Sequence, residues 1–327
     1  MTKKAIITGI TGQDGSFLAE LLINKGYEVH GIVRRVAIED PNQRYWRIKN
    51  NLNKINIHAG TMENYSSIFK IINKIKPDEF YHLAAQSFVS DSFNDEYSTL
   101  SSNINSTHYC LSAIKELDLK KTKFYFAGSS EMFGKVHESP QNESTPFHPR
   151  SIYGISKVAG FDLTRYYREA YGMHASSGIL FNHESERRGY EFVTRKISYS
   201  AAMIKLGLQK NLELGNIDAK RDWGYAPEYV NAMWLMLQDK KADDYVVGTG
   251  KAYSVRDFAN IAFKILNMDY KKYLKIKKHL YRPSEVETLI SDPSKIKKKF
   301  GWKTKVSFDK LVERMVINDY DALKKRV

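Results

Sequence analysis

Tyr153 and Lys157 stand four residues apart, so on a helix both side chains face the same way. An ammonium beside a phenol favours the phenolate, which would let the tyrosine take a proton at neutral pH. The interval alone decides nothing, because Tyr45/Lys49, Tyr273/Lys277 and Tyr320/Lys324 repeat it. What separates the first pair is its order after an apolar run, 123–127, and the turn Gly128-Ser129-Ser130-Glu131. The Ser129 hydroxyl can hydrogen-bond the same substrate oxygen that Tyr153 deprotonates. Ser129, Tyr153 and Lys157 together are equipment for oxidising an alcohol. Glu131 adds a carboxylate that alcohol oxidation does not need, one able to take a proton from carbon once a neighbouring carbonyl has formed. Its plainer alternative is a helix N-cap or a surface acid.

A second constellation opens the chain. The run Thr8-Gly9-Ile10-Thr11-Gly12-Gln13-Asp14-Gly15 follows apolar Ala5-Ile6-Ile7 and leads into Phe17-Leu18-Ala19-Glu20-Leu21-Leu22. A strand, a glycine-spaced turn and an amphipathic helix in that order aim backbone N–H groups and a helix N-terminus at a pyrophosphate. At the end of the second strand candidate, where an acid would bind a ribose 2′-hydroxyl, the chain has Arg34-Arg35. Two guanidiniums there suit a 2′-phosphate, favouring NADP(H) over NAD(H).

The elements that must position these groups alternate. Strand candidates are 4–8, 28–33, 55–59, 79–83, 123–127 and 175–181, and helical patterns cover 15–26, 65–75, about 95–117 and 154–171. This rhythm predicts an α/β fold, a Rossmann-type doubly wound parallel sheet with its ligand at the carboxyl ends of the strands. After 181 the rhythm changes: helices at 194–209, 228–238 and 254–267, with Tyr245-Val246-Val247 as a late strand. The expectation is a dinucleotide-binding domain of 1–181 plus about 217–250. A smaller, discontinuous C-terminal substrate-binding lobe would come from about 182–216 and 251–327.

Composition sets bounds on 327 residues. One cysteine, Cys110, excludes an intrachain disulfide and a cysteine-rich zinc site, so no metal centre is expected. No apolar stretch approaches the roughly 20 residues of a membrane helix, and Met1-Thr2-Lys3-Lys4 has no leader-like apolar segment separate from the first strand. A cytoplasmic protein is the expectation. The net charge of +14 clusters late, at Lys271, Lys272, Lys275, Lys277 and Lys278 and at Lys295, Lys297, Lys298 and Lys299. These clusters lack interleaved aromatic platforms, so they read as solvated faces rather than a nucleic-acid surface.

Across nearly its whole length the chain resembles the extended short-chain dehydrogenase/reductase family, and within it the GDP-mannose 4,6-dehydratase group. The resemblance rests on TGITGQDGSFLAELL, SSEMFG, PFHPRSIYGISK, ILFNHESERRG, FVTRKI, LGNIDAKRDWG, YSVRDF and YRPSEVETLISDP. It implies that Gly9, Gly12, Gln13, Asp14 and Gly15, with Arg34, bind the cofactor's phosphates and ribose, and that Leu83, Ala84 and Gln86 line its path to the nicotinamide. Tyr153 and Lys157 would serve both ribose and substrate. Asn182, Lys196, Leu214, Gly215, Arg221, Arg282 and Glu285 would hold the GDP moiety, and Arg187 and Arg188 would make further nucleotide or interface contacts. A homodimer or homotetramer is also implied. The family's usual Thr in the catalytic loop is Ser129 here, and its Gly-Asp-Leu after the third strand is Gly60-Thr61-Met62.

The implied reaction is oxidation at C4 of GDP-mannose, or of a GDP-manno-heptose relative, water loss across C5/C6, and hydride return to C6. Two other readings stay open on the residues alone: a GDP-sugar 4-dehydrogenase or epimerase that expels no water, and an inactive relative that binds RNA.

Overall fold

A computed structural model describes residues 2–326 apart from Arg35, 37–39, Arg282, Pro283, Glu285 and Glu287, and apart from the side chains of Pro41 and Asn42. Seven strands form one sheet: β1 (Lys4–Thr8), β2 (Glu28–Val33), β3 (Ile55–Ala59), β4 (Glu79–His82), β5 (Lys123–Ser129), β6 (His174–Leu180) and β7 (Asp244–Val247). Their spatial order is β7-β6-β5-β4-β1-β2-β3, and every neighbouring pair is parallel. Strand order reverses between β1 and β4, which opens a crevice at their carboxyl ends.

Parallel strands connected through helices are covered on both faces, and here each face has its own core. Ile7, Tyr81, Tyr125 and Val247 point to one side, under α1 (Gln13–Asn24) and a later helix, Ala226–Gln238. Their chain neighbours Ile6, Phe80, Phe124 and Val246 point to the other, under α2 (Tyr65–Ile75), α3 (Glu96–Glu116) and α4 (Ile152–Tyr171). The two-residue period of the strands therefore feeds both cores without a polar gap. Helix starts follow capping chemistry: Asn64, Asp95 and Ser151 each accept a backbone N–H of the first turn of α2, α3 and α4.

Two boundaries differ usefully from the sequence expectation. β5 runs two residues past 127, because Gly128 and Ser129 still pair with Ile179 and Leu180 of β6, so Ser129 ends the strand instead of lying in a loop. α4 begins at Ile152 because Ser151 caps it, which puts Tyr153 inside the first turn. A third core lies outside the sheet: Ile197, Leu212, Trp223, Phe258, Phe263, Leu311 and Met315 pack together. It joins α5 (Val193–Lys205), α7 (Val255–Ile265) and α8 (Phe308–Lys324), with α6 being the helix Ala226–Gln238 already described.

At the amino ends of the strands a buried carboxylate ties elements together. Glu79 is 1% exposed and accepts from Tyr81 Oη (2.7 Å), Tyr27 Oη (2.9 Å), Gln238 Nε2 (3.2 Å) and Lys3 Nζ (3.3 Å). Removing the acceptor strands several donors at once. Glu79→Ala should lower unfolding stability by about 2–3 kcal/mol. Urea denaturation reads this directly, and an unchanged midpoint would contradict the cluster's role.

Candidate active site

The crevice between β1 and β4 is lined by a backbone that only glycine permits. Gly9 has φ +71°, and a Cβ there would lie 3.0 Å from both Cα and N of Ala84. A Cβ on Gly15 would lie 2.3 Å from the carbonyl oxygen of Gly9. Gly12 is the N-cap of α1 and offers no side chain to its first N–H groups. An anion with its own oxygens suits that helix start, so the turn fits a dinucleotide's pyrophosphate.

Leu83 and Ala84 are fixed by Thr8. Its Oγ1 accepts from both of their N–H groups at 3.0 Å, leaving its own proton to donate to His82 Nδ1 at 3.0 Å. Burial, with the charge of Lys157 second, pulls the His82 pKa down to about 3, which keeps the ring neutral and able to accept. The other ring nitrogen meets Thr107 Oγ1 at 3.1 Å. Asn103, one turn earlier on α3, donates to Gln86 O (3.1 Å) and to Ser156 Oγ (3.0 Å) on α4, and accepts from Gln86 N (2.9 Å). A buried polar path thus runs from the crevice to the helix that carries Tyr153 and Lys157. Sequence reading missed His82 and Asn103. The available signal was polar residues at helical spacing, Thr99, Asn103, Ser106 and Thr107, on a face of α3 that proves fully buried.

The four candidate catalytic residues come together. Ser129 and Glu131 are both close enough to act on the Tyr153 phenol, Ser129 favouring its charged form and Glu131 opposing it. Ser129 Oγ accepts from Glu131 N at 3.2 Å, so Glu131 sits within the turn that Ser129 caps and is not itself the cap. Gly154 makes the approach possible, since a Cβ there would fall 2.7 Å from Glu131 O. Lys157 Nζ donates to Ala127 O at 2.9 Å and lies 5.8 Å from the Tyr153 ring centre.

Electrostatics depart from the expected lowering of the phenol. Burial pushes the Tyr153 pKa up to about 12, with Ser129 pulling it down and Glu131 pushing it up. The Lys157 ammonium does not reverse this: it donates to the carbonyl of Ala127, and its own charge is buried. Burial pulls Lys157 down to about 8, opposed by Asp14.

Gln13 and Asp14 turn towards the segment after β6. Gln13 Nε2 donates to His183 O (3.0 Å) and its Oε1 accepts from Ser185 Oγ (2.8 Å), while Asp14 Oδ2 meets His183 Nε2 at 2.8 Å. Burial opposes the Asp14 charge, but His183 outweighs it and holds the carboxyl below its usual range; Asp14 in turn raises His183. Arg187 is likewise engaged with α1, 2.6 Å from Glu20 and 3.1 Å from Ser16 Oγ, rather than gathered with Arg221. Arg188 pairs with Glu184 at 3.1 Å and exerts its charge on Tyr153. Arg47, which sequence reading did not flag, donates to Arg187 O (2.7 Å) and Thr11 O (3.2 Å), joining the glycine turn to this segment.

Of the residues assigned to GDP, Asn182 begins a short strand paired with Trp223–Tyr225. Leu214 ends another, paired with Leu274–Ile276, and a Cβ on Gly215 would lie 2.5 Å from Leu280 O. Lys196 lines a hollow with Tyr190, Tyr199 and Ser200. Arg221 is buried and donates to Val286 O at 2.6 Å. Arg34 is exposed and pairs with Glu63. Arg35, Arg282 and Glu285 lie outside the described residues. Among the described residues no group of three or more potential ligands is placed to hold a metal, and no helix is long and apolar enough to cross a membrane.

With this geometry in place, the family model for GDP-mannose 4,6 dehydratase matches residues 6–315. The chain belongs to that family. The GDP-mannose 4,6 dehydratase 1 of Arabidopsis thaliana is 48% identical over 331 residues, covering 99% of this chain and 91% of the relative. Among solved structures, the dTDP-glucose 4,6-dehydratase DesIV from Streptomyces venezuelae with NAD and TYD bound has TM-score 0.86 at 19% identity, covering 98% of each chain. RMD from Pseudomonas aeruginosa complexed with NADPH has TM-score 0.80 at 22% identity, covering 98% of this chain and 100% of the other. The fold is thus shared by proteins solved with either form of the dinucleotide.

The buried lysine has a measurable cost. Its folded pKa lies below the ordinary 10.5, so the unfolded chain holds the proton more tightly and stability rises with pH between about 8 and 10.5. Lys157→Met should therefore stabilise the ligand-free protein at pH 7 by about 1–3 kcal/mol, and by less at pH 10. Urea unfolding at the two pH values checks this; an equal gain at both would contradict it.

Proposed function

We propose that the protein is a GDP-mannose 4,6-dehydratase, converting GDP-mannose to the 4-keto-6-deoxy sugar with tightly held NADP. The observation that carries the reading is a carboxylate, Glu131, in the same turn as Ser129 and near enough to act electrostatically on Tyr153, within a chain that matches this family over residues 6–315. A Ser-Tyr-Lys set alone would suit a dehydrogenase or an epimerase.

Gly9, Gly12 and Gly15 would hold the dinucleotide's pyrophosphate, Leu83, Ala84 and Gln86 would line the way to the nicotinamide, and Lys157 would bind the ribose. Gln13 and Asp14 would shape the helix start from behind through His183 and Ser185. A bound dinucleotide would supply reversible hydride acceptance, so that oxidation at C4 and reduction at C6 form one redox-neutral cycle. Tyr153 takes the C4 hydroxyl proton while Ser129 hydrogen-bonds the same oxygen. A phenol near 12 is a poor base at neutral pH, so ligand binding has to lower it, and a ribose-bound Lys157 and Arg188 are the cations positioned to do so. The 4-ketone acidifies C5–H; Glu131 removes that proton and delivers it to the departing C6 hydroxyl, which leaves as water, and as hydride returns to C6 a proton is restored to C5, balanced by the one Tyr153 took from the C4 hydroxyl. Asn182, Lys196, Leu214, Gly215 and buried Arg221, with Arg282 and Glu285, would hold GDP; Arg187 would act from the α1 side. The arginine after β2 favours NADP. We further propose a closed homo-oligomer, a dimer or tetramer, in the cytoplasm.

Mass spectrometry of the enzyme incubated with GDP-mannose, without added cofactor, should show a product lighter by one water. Oxidised sugar with cofactor left reduced would replace this reading with the dehydrogenase one, and turnover of GDP-manno-heptose alone would move the substrate. Glu131→Gln should keep C4 oxidation yet slow water loss by on the order of 10²–10⁴; normal dehydration would remove Glu131 from the role. Tyr153→Phe should abolish hydride transfer itself, seen as no reduced-nicotinamide absorbance in single turnover.

A further inference from the structure

The dinucleotide fingerprint places an acid at the end of β2 when the ligand carries a ribose 2′-hydroxyl, and an arginine when it carries a 2′-phosphate. β2 ends in Val33, followed by Arg34, with no acid at that point. An acid nevertheless arrives there from the next strand. Val33 is paired with Ala59 at the end of β3, and Gly60 N donates to Val33 O at 2.9 Å, so the chain beyond each strand leaves the sheet side by side. Three residues on, Glu63 Oε1 accepts from Arg34 Nη2 at 2.8 Å. A hollow of about 500 Å³ lies along the same turn, lined by Thr61, Asn64, Ser66, Ser67 and Lys70.

We propose that Glu63 is a specificity-determining residue for the cofactor, supplying from β3 the carboxylate that accepts a ribose 2′-hydroxyl and opposing a 2′-phosphate on Arg34. This rests on the reading of Arg34 as the group that meets the 2′-position. The side chains of Arg34 and Glu63 are 68% and 34% exposed, and an ion pair so open adds almost nothing to stability. Its consequence falls on whatever ligand approaches the guanidinium. A 2′-phosphate must share the Arg34 fork with a carboxylate of like charge, which weakens NADP⁺. A 2′-hydroxyl instead finds an acceptor in Glu63 and a donor in Arg34. The two residues together set a ratio rather than an absolute choice.

Equilibrium binding of NADP⁺ and NAD⁺ to cofactor-stripped protein, measured by calorimetry on wild type, Glu63→Gln and Arg34→Leu, tests this. Glu63→Gln should tighten NADP⁺ by about fivefold and weaken NAD⁺ by about twofold, with the melting temperature unchanged. A ratio of the two dissociation constants within twofold of wild type overturns the proposal. Arg34→Leu separates the two layers: it should weaken NADP⁺ by tenfold or more and NAD⁺ by only about twofold, the loss of one neutral hydrogen bond. If it does so while Glu63→Gln changes nothing, only the role of Glu63 is lost; if Arg34→Leu does not discriminate, the reading of Arg34 itself fails and this proposal with it.

Discussion

The contact on which the site depends is the approach of Gly9 to the backbone of Ala84. It brings the end of β1 against the end of β4 at the place where strand order reverses, and a single methyl group would hold the two apart. The spacing of that contact lets the Thr8 hydroxyl reach two amides just past the end of β4 at once. With its acceptor capacity spent, Thr8 must donate, which fixes the tautomer of His82 and through it the buried face of α3. Asn103 on that face holds Ser156, and so the first turns of α4. Tyr153 and Lys157 are therefore oriented by a polar path that begins at the glycine turn, not only by their own helix.

The interior electrostatics show why such a path is needed. The site buries a phenol, an ammonium, a carboxylate and a histidine within one region, and burial disfavours the charged form of each. Burial on its own favours the neutral phenol of Tyr153 and pulls Lys157 towards its neutral form, the opposite of what proton abstraction by the tyrosine needs. Groups frustrated against one another in this way are complementary to phosphates, ribose and sugar hydroxyls. Asp14 and His183 settle part of that frustration by pairing with each other, which also locks the start of α1 to the segment beyond β6.

Much of this was legible in the residues. The strand runs of 4–8, 28–33 and 55–59 coincide with the observed elements, because a parallel sheet covered on both faces needs continuous apolar segments bounded by turn residues. The grouping of Ser129, Glu131, Tyr153 and Lys157 followed from chain order around one strand and one helix. What sequence hid were three-dimensional neighbours: the family resemblance makes Gln13 and Asp14 cofactor contacts, and the fold adds that their side chains also reach His183 and Ser185, some 170 residues away. The phenol's direction of shift was hidden for a similar reason, since desolvation is a property of the whole surround and not of the lysine one turn on. Glu63 had no signal at all until the β2–β3 ladder placed it beside Arg34.

The position of β7 bears on how the molecule assembles. The sheet's flank beside β6 is completed only by residues 244–247, and α6, which covers the face over α1, directly precedes them. During synthesis the first six strands can pair while that flank still presents unsatisfied amides and carbonyls to solvent. An open parallel flank invites another chain, and it stays open until some 64 further residues have emerged. The chain between β6 and β7 carries Ile197, Leu212 and Trp223, whose remaining partners in the third core, Phe258, Phe263, Leu311 and Met315, emerge only after the sheet can close. The sheet can therefore be completed before that core is, and the apolar surface left waiting is the part of a nascent chain most in need of a chaperone.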